Sequence, residues 1–264
     1  MSYVWTQDQV VRYRSYYDNI RTHHTYSYVS YSTTDEFVLS VLPPCLGVCE
    51  NPVVTVSFLS FMEWVNGVSN RDGRDRAAII SVNAEYQGLV GSYYLTVLET
   101  EEVNIVTGRE FWGMPKKLGT IDYFEDGREF HGIAGRKNQQ LIELNASLGD
   151  EQGGSDEVPE YYFDLRGNYE VNARSVRSPE LVIFKNYTKV NRFKEITDPK
   201  LELKGSPCDP GVGTIPVGSY IEGGHLGGET FYNIEKVVDL SRDGVDYAPY
   251  LMGRLYDDWP DVRR

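Results

Sequence analysis

Gly108-Arg109-Glu110-Phe111-Trp112-Gly113-Met114-Pro115-Lys116-Lys117-Leu118-Gly119 is the most informative stretch of this chain. Two adjacent lysines follow a proline inside an aromatic and apolar segment. A lysine acts as a nucleophile only when its amine is neutral, and an ordinary side-chain pKa near ~10.4 leaves it almost fully protonated at neutral pH. Burial disfavours the cation, and a second ammonium close by disfavours it further. Lys116 beside Lys117, walled by Phe111, Trp112, Met114 and Leu118, could supply both effects. An amine activated in this way attacks a carbonyl and forms a Schiff base. A Lys-Lys pair by itself is more often a solvated surface feature, because lysine is almost never fully buried unless paired. The wider string is what points to chemistry.

Gly108-Arg109-Glu110 followed by Pro115-Lys116-Lys117-Leu118-Gly119 resembles the signature of the acetoacetate decarboxylase family. The resemblance extends over most of residues 25–240. Tyr26 to Leu46, with Thr34-Asp35 leading into Leu42-Pro43-Pro44, is similar to the family's early strand, helix and proline turn. Asn191 to Val217, including Leu201-Glu202-Leu203, resembles its late strands. Carried over by position, the resemblance implies that Lys116 is the Schiff-base lysine and Lys117 its pKa-lowering neighbour, which is the family's own account of its lysine. The family also places a carboxylate upstream, near the substrate carboxylate. Glu85, in Asn83-Ala84-Glu85-Tyr86-Gln87-Gly88, is the matching residue, across a connection shorter than the family's; a solvated turn residue is the equal alternative.

One position departs from the family. Its decarboxylase carries an arginine before the first core strand, where this chain has His24, within Thr22-His23-His24-Thr25. An arginine is always charged and grips a carboxylate with a rigid fork of donors. Histidine is often neutral at pH 7 and cannot make the same bidentate contact. For His23 and His24 alone, a polar surface pair is the commoner reading. His24, Phe111, Trp112 and Met114 are the expected substrate-binding residues, and Lys116, Lys117 and Glu85 the expected catalytic ones. The leading expectation is a lyase that decarboxylates a β-keto acid through a lysine imine and enamine, with no metal and no organic cofactor. An aldolase or dehydratase acting on a keto acid without loss of carbon dioxide is the second expectation. A ligand-binding barrel without catalysis is the third.

Composition sets the frame around this reading. A chain of 264 residues with 41% hydrophobic residues can bury a sizeable core in one large domain or two small ones. Its net charge of -13 argues against nucleic acid and anionic membranes as partners, since both demand a basic face. It does not forbid an anionic substrate, because a distant field is screened over ~10 Å. The first residues, Met1 to Asp8, lack a basic start followed by an apolar run, so no signal peptide is expected. No apolar stretch approaches the ~20 residues that span a bilayer. Cys45, Cys49 and Cys208 have no zinc spacing and read as reduced thiols. Asn145-Ala146-Ser147 and Asn186-Tyr187-Thr188 match a glycosylation pattern by chance if the protein is cytoplasmic, which is the economical reading.

Periodicity then places the elements. Val10, Val11, Tyr13, Tyr16, Tyr17 and Ile20 fit an amphipathic helix over 6–20. Alternation predicts a strand at 26–31, a long apolar run another at 53–62, and β-branched or aromatic residues, mostly bounded by Gly, Asp, Asn or Pro, further strands at 77–82, 92–98, 119–124, 139–144, 161–165 and 181–187. Thr33-Thr34-Asp35 offers N-cap chemistry for a short helix to Val41, and Glu125-Asp126-Gly127-Arg128 a hairpin turn. Residues 70–76 read as an exposed loop. Residues 149–160, rich in acids around Gly153-Gly154, read as a mobile surface loop rather than a site. Gly211-Val212-Gly213 and Gly223 to Gly228 read as turns, not phosphate loops. The expected class is α+β and β-rich: a mostly antiparallel, closed or cone-like β-barrel with flanking helices. It is expected as one domain over 1–264, with a helical extension at 1–24 and a tail at 246–264. The resemblance implies a homo-oligomer.

Overall fold

The computed structural model describes residues 3–17, 20–65, 68–69, 74–171 and 175–255. Strands dominate. In chain order they are β1 (Arg21–Ser32), β2 (Val53–Val65), β3 (Val68–Ser69), β4 (Asp75–Tyr86), β5 (Leu89–Glu99), β6 (Lys116–Leu118) and β7 (Thr120–Asp126). They continue as β8 (Glu129–Arg136), β9 (Gln139–Leu148), β10 (Gln152–Tyr169), β11 (Val176–Leu203), β12 (Tyr220–Phe231) and β13 (Ile234–Asp239). The helices are α1 (Gln7–Tyr17), α2 (Asp35–Val41), α3 (Glu102–Thr107) and α4 (Ala248–Leu255). A π-helical turn, Gly108–Trp112, extends α3, and a 3₁₀ turn occupies Pro210–Thr214. None of the described helices is long and apolar enough to cross a membrane.

The strands close on themselves. β10, β5, β4, β2, β1, β12 and β11 pair in that order, and β11 returns to β10. The pairs are antiparallel except β5–β10, and β6 adds to β5 in parallel. The 28 residues of β11 serve two layers: its first part closes the ring, and Ile196–Leu203 pairs with β9, from which β8 and β7 continue. The expected β-rich, closed and mostly antiparallel fold is therefore the one observed.

Period-two alternation decides what each strand presents to either side. On β2, Thr55, Ser57, Leu59 and Phe61 face a central cavity, while Val54, Val56 and Phe58 enter the apolar core. On β4, Ala77, Ile79 and Ser81 face the cavity, and Ala78, Ile80 and Val82 the core. The core thus lies behind the ring wall, where Phe58 and Phe130 meet edge to face and Ile142, Leu144, Phe163 and Leu181 fill the space. Burying each such side chain stabilises the fold by roughly 1.5–3 kcal/mol. Thr34 caps α2 by accepting from the Phe37 N–H, and Tyr247 and Leu251 bring the last helix onto the same core.

Five expectations change or are filled in. Residues 152–160 are not a loop but the start of β10, and Gln152, Gly153, Ser155 and Glu160 line the cavity. Their acidic composition reflects a strand with one wet face, not an unpaired segment. Gly223 to Gly228 lie inside β12, not in turns. A Cβ on Gly224 would come within 2.4 Å of the Phe193 ring, and one on Gly228 within 2.4 Å of the Lys189 carbonyl, so close approach of neighbours dictates glycine there. Of the loop expected at 70–76, residues 70–73 lie outside the described residues, while Asp75 and Arg76 already open β4. The helix expected over 6–20 ends at Tyr17, residues 18–19 lie outside the described residues, and Ile20 is buried at the cavity. In the tail expected at 246–264, α4 occupies Ala248–Leu255 and residues 256–264 lie outside the described residues.

Candidate active site

The lysine segment reaches the ring through a sequence of local constraints. Asp75 is buried and accepts from the Thr100 and Glu101 N–H groups, the Thr100 hydroxyl and the Asn104 amide, which ties α3 to the start of β4. The π-helical turn ends at Gly113, whose φ of 79° is left-handed. Pro115 then leads into β6, where Lys116 aligns with Val97 and Lys117 with Leu98.

A strand sends successive side chains to opposite faces. Lys116 points into the ring, and Lys117 points away from it. Lys116 is only 6% exposed; its Nζ lies 2.8 Å from Glu99 Oε1 and donates to the Asn104 carbonyl at 3.3 Å. Lys117 instead contacts Asp209 at 2.5 Å, a carboxylate it shares with Arg136, beside a second cavity of about 290 Å³. The neighbouring ammonium expected from sequence thus sits across the sheet with its own counter-ion. Burial and Glu99 are what Lys116 feels most directly.

Glu99 ends β5, is 3% exposed, and keeps one oxygen, Oε2, without a hydrogen-bond partner among the described residues. Burial pushes its carboxyl up to about 7, against the opposing pull of Lys116, with Asp75 adding repulsion. A buried acid and a buried amine in contact can exchange a proton near neutrality.

Gly108 makes room for this pair. A Cβ there would meet Lys116 Cε at 2.5 Å, Cδ at 2.6 Å and Nζ at 2.9 Å. Its backbone, with φ -63° and ψ -37°, is one that alanine adopts freely. Gly108→Ala should therefore fold normally and displace the lysine tip rather than the backbone. A displacement of about 1 Å at a reacting atom can cost roughly 10²-fold in rate. Thermal melting and steady-state kinetics check this; unchanged turnover would contradict it.

The cavity holds about 660 Å³. Trp112, Met114 and His24 line it with Lys116, as do Tyr26, Tyr28, Tyr94, Tyr162 and Tyr232. Burial is the main cause that lowers His24 to about 4, so it faces the cavity as a neutral imidazole at pH 7. Tyr94 stacks on Tyr162 at 5.5 Å, and Trp112 on Tyr232 at 6.3 Å. Burial raises Tyr28 and Tyr232 to about 12, so these phenols stay protonated.

Besides Lys117, two sequence-selected residues stay outside. Phe111 is 44% exposed and meets the Tyr13 ring of α1 edge to face. Glu85 is exposed, pairs through its backbone with Gly47, and stands beside the Gln87-Gly88 hairpin turn, where φ is 50° and 85°. That turn places it at the end of β4, off the cavity wall. Sequence reasoning missed Glu99, although it is the first of three acids, Glu99, Glu101 and Glu102, that follow the run Leu95 to Leu98 ahead of the lysine motif. It also missed Glu160 and Asn186, which β10 and β11 bring in from far along the chain.

A closed strand ring thus surrounds a cavity with a buried lysine–carboxylate pair in its wall. The sequence model of the family described as acetoacetate decarboxylase (ADC) matches residues 4–237, and the chain belongs to that family. The acetoacetate decarboxylase of Burkholderia vietnamiensis (strain G4 / LMG 22486) is 30% identical over 126 residues, covering 43% of this chain and 48% of that protein. The match thus spans about half the length of this curated relative. The crystal structure of acetoacetate decarboxylase from Legionella pneumophila superposes with a TM-score of 0.70 at 18% identity, covering 87% of this chain and 88% of that one. The enduracididine biosynthesis enzyme MppR, complexed with pyruvate, superposes with a TM-score of 0.66 at 14% identity over 87% of this chain and 91% of its own. At these identities the structural likeness speaks for the fold alone.

Proposed function

We propose that this protein forms a Schiff base between Lys116 and a keto acid and releases carbon dioxide from a β-keto acid. The observation that carries this reading is the contact of a buried Lys116 amine with a buried Glu99 at 2.8 Å, in the wall of the central cavity. Transfer of the ammonium proton to Glu99 frees the amine to attack the ketone carbon. Glu99 returns the proton as the carbinolamine oxygen leaves as water, giving a protonated imine. The bond to the carboxylate carbon then breaks, its electron pair moves into the imine to form an enamine, and carbon dioxide leaves. Protonation of the enamine carbon and hydrolysis of the imine regenerate Lys116.

The cavity favours the bond-breaking step electrostatically. Among the described residues lining it, Lys116 is the sole lysine or arginine, and Glu63, Glu99, Glu160 and Glu222 are carboxylates. A substrate carboxylate finds no second cation to hold it, and its charge is relieved when it departs as neutral carbon dioxide. His24, neutral and in the position where the resemblance expects an arginine, supports the same view. A cytoplasmic location, the economical reading of the sequence, and a homo-oligomeric assembly, which the family resemblance implies, belong to this proposal.

A second reading, aldol condensation or dehydration on the same imine, is favoured by one observation. MppR has a structure described as complexed with the condensation product of pyruvate and imidazole 4-carboxaldehyde. Borohydride trapping with acetoacetate, pyruvate and longer keto acids, read by peptide mass, tests the Schiff base. A substrate-sized adduct on Lys116 is expected, and carbon dioxide release from the β-keto acids separates the two reactions. No adduct from any member of the panel would refute both.

A further inference from the structure

We propose that the outer part of the cavity is a cation subsite: Glu160, Asn186 and the rings of Tyr26, Tyr94 and Tyr162 receive an ammonium or guanidinium group at the end of the substrate remote from its carbonyl. The placement of the carbonyl end at Lys116 rests on the Schiff-base reading.

The cavity has a closed end and an open one. Lys116 and Glu99 are buried, whereas Glu160 and Glu222 are exposed while lining the same space. Glu160 stands opposite Asn186 in the β10–β11 register, so the two side chains share a face. Asn186 is 4% exposed, and its Oδ1 has no hydrogen-bond partner among the described residues. Tyr162 donates to Glu160 Oε2 at 2.7 Å, and no described residue donates to Oε1. The cavity wall therefore carries a carboxylate oxygen, Glu160 Oε1, with no donor among the described residues, beside a buried amide whose Oδ1 is unpartnered among them. What satisfies such a pair is a group rich in N–H donors.

The surroundings choose a charged donor over a neutral one. Tyr94 and Tyr162 stack at 5.5 Å, Tyr26 and Tyr28 at 5.6 Å, and all four residues line the cavity. An aromatic ring is negative at its faces. Such faces attract a cation within about 6 Å of the ring centroid. Glu160 also lies within electrostatic reach of Tyr26, Tyr28, Tyr94, Tyr162 and Tyr232. A remote carboxylate or phosphate would meet the Glu160 and Glu222 carboxylates and, among the described lining residues, no arginine.

Three β-keto acids of one chain length, ending in an ammonium, a methyl or a carboxylate group, test the subsite by titration calorimetry on the intact protein and on Glu160→Gln. The expected result is about tenfold tighter binding of the ammonium acid than of the methyl acid, with the ratio collapsing toward one in Glu160→Gln. Equal affinities, tightest binding of the carboxylate acid, or a preference unchanged in Glu160→Gln would each overturn the subsite. Borohydride trapping of the same three acids reports separately on the Schiff base. Adducts on Lys116 without the ammonium preference defeat only the subsite. The ammonium preference without adducts defeats only the imine.

Discussion

Lys116→Ala is expected to lose turnover on any β-keto acid by at least about 10⁴-fold, together with all borohydride-dependent labelling of the protein. The size follows from what is removed. Every proposed step after substrate entry passes through the imine nitrogen, so no residual route shares the covalent intermediate. The substitution has a second consequence that must be separated from the first. Lys116 and Glu99 form a buried pair, and deleting one partner leaves an unpaired buried charge, typically destabilising by about 3–5 kcal/mol. Glu99 escapes that cost by staying protonated. Lys116 is the main influence holding its carboxyl down against burial, so without it the acid binds its proton over a wider pH range. The sign is that of a raised acid. Its stabilising contribution is complete below the ordinary carboxyl value of 4.5 and is lost as pH rises through the folded value, about 7 in the paired protein and higher in the variant. Lys116→Met, which fills the same volume, should show the same pH-dependent melting. Either variant, checked by circular dichroism near pH 6, should be folded and inactive. Retained turnover in a folded Lys116→Ala protein would end the imine mechanism.

Legibility in the sequence followed the range of the physics involved. β1 was readable because its alternation is local, β2 and β4 because their apolar and β-branched runs are, and α2 because Thr34 and Pro43 punctuate it. β12 was not, because its glycines answer to Phe193 and Lys189 on β11, partners that only the folded ring supplies. The acids of 152–160 misled for the same reason: composition reports solvent contact, and an edge of β10 has it without being a loop. At the site, the lysine motif announced itself, and His24, Trp112 and Met114 do share a cavity with Lys116. The pairing of Lys116 with Lys117 could have been corrected from sequence alone. Adjacent residues on a strand face opposite ways, and the proline before them forbids continuing the helix. Glu160 and Asn186 had no local signal at all. Their place depends on ring closure, in which β10 lies parallel to β5 and antiparallel to β11.

Glu99→Gln is expected to lower kcat/KM by about 10²- to 10³-fold, within the usual range for a positioned acid–base group, and to change the pH profile. Glutamine keeps the shape of the side chain and an oxygen that accepts from Lys116, so the fold and the position of the amine are preserved. What it cannot do is take the proton that frees the amine or return it to the departing water. In the native protein the reactive form of the pair carries one proton in total, shared between Lys116 and Glu99. When pH falls below the Glu99 value of about 7, the pair gains a second proton, which caps both groups. Native kcat/KM should therefore rise with pH through an acid limb near 7, and that limb should vanish in Glu99→Gln. A merely structural role would lower activity and leave the limb in place, so the profile discriminates between the two. Trapping adds a second discrimination: the variant should still form the borohydride adduct on prolonged incubation, because the nucleophile is intact. An unchanged acid limb in a folded Glu99→Gln protein would assign the proton transfer elsewhere and leave Glu99 as the counter-ion that holds Lys116 in place.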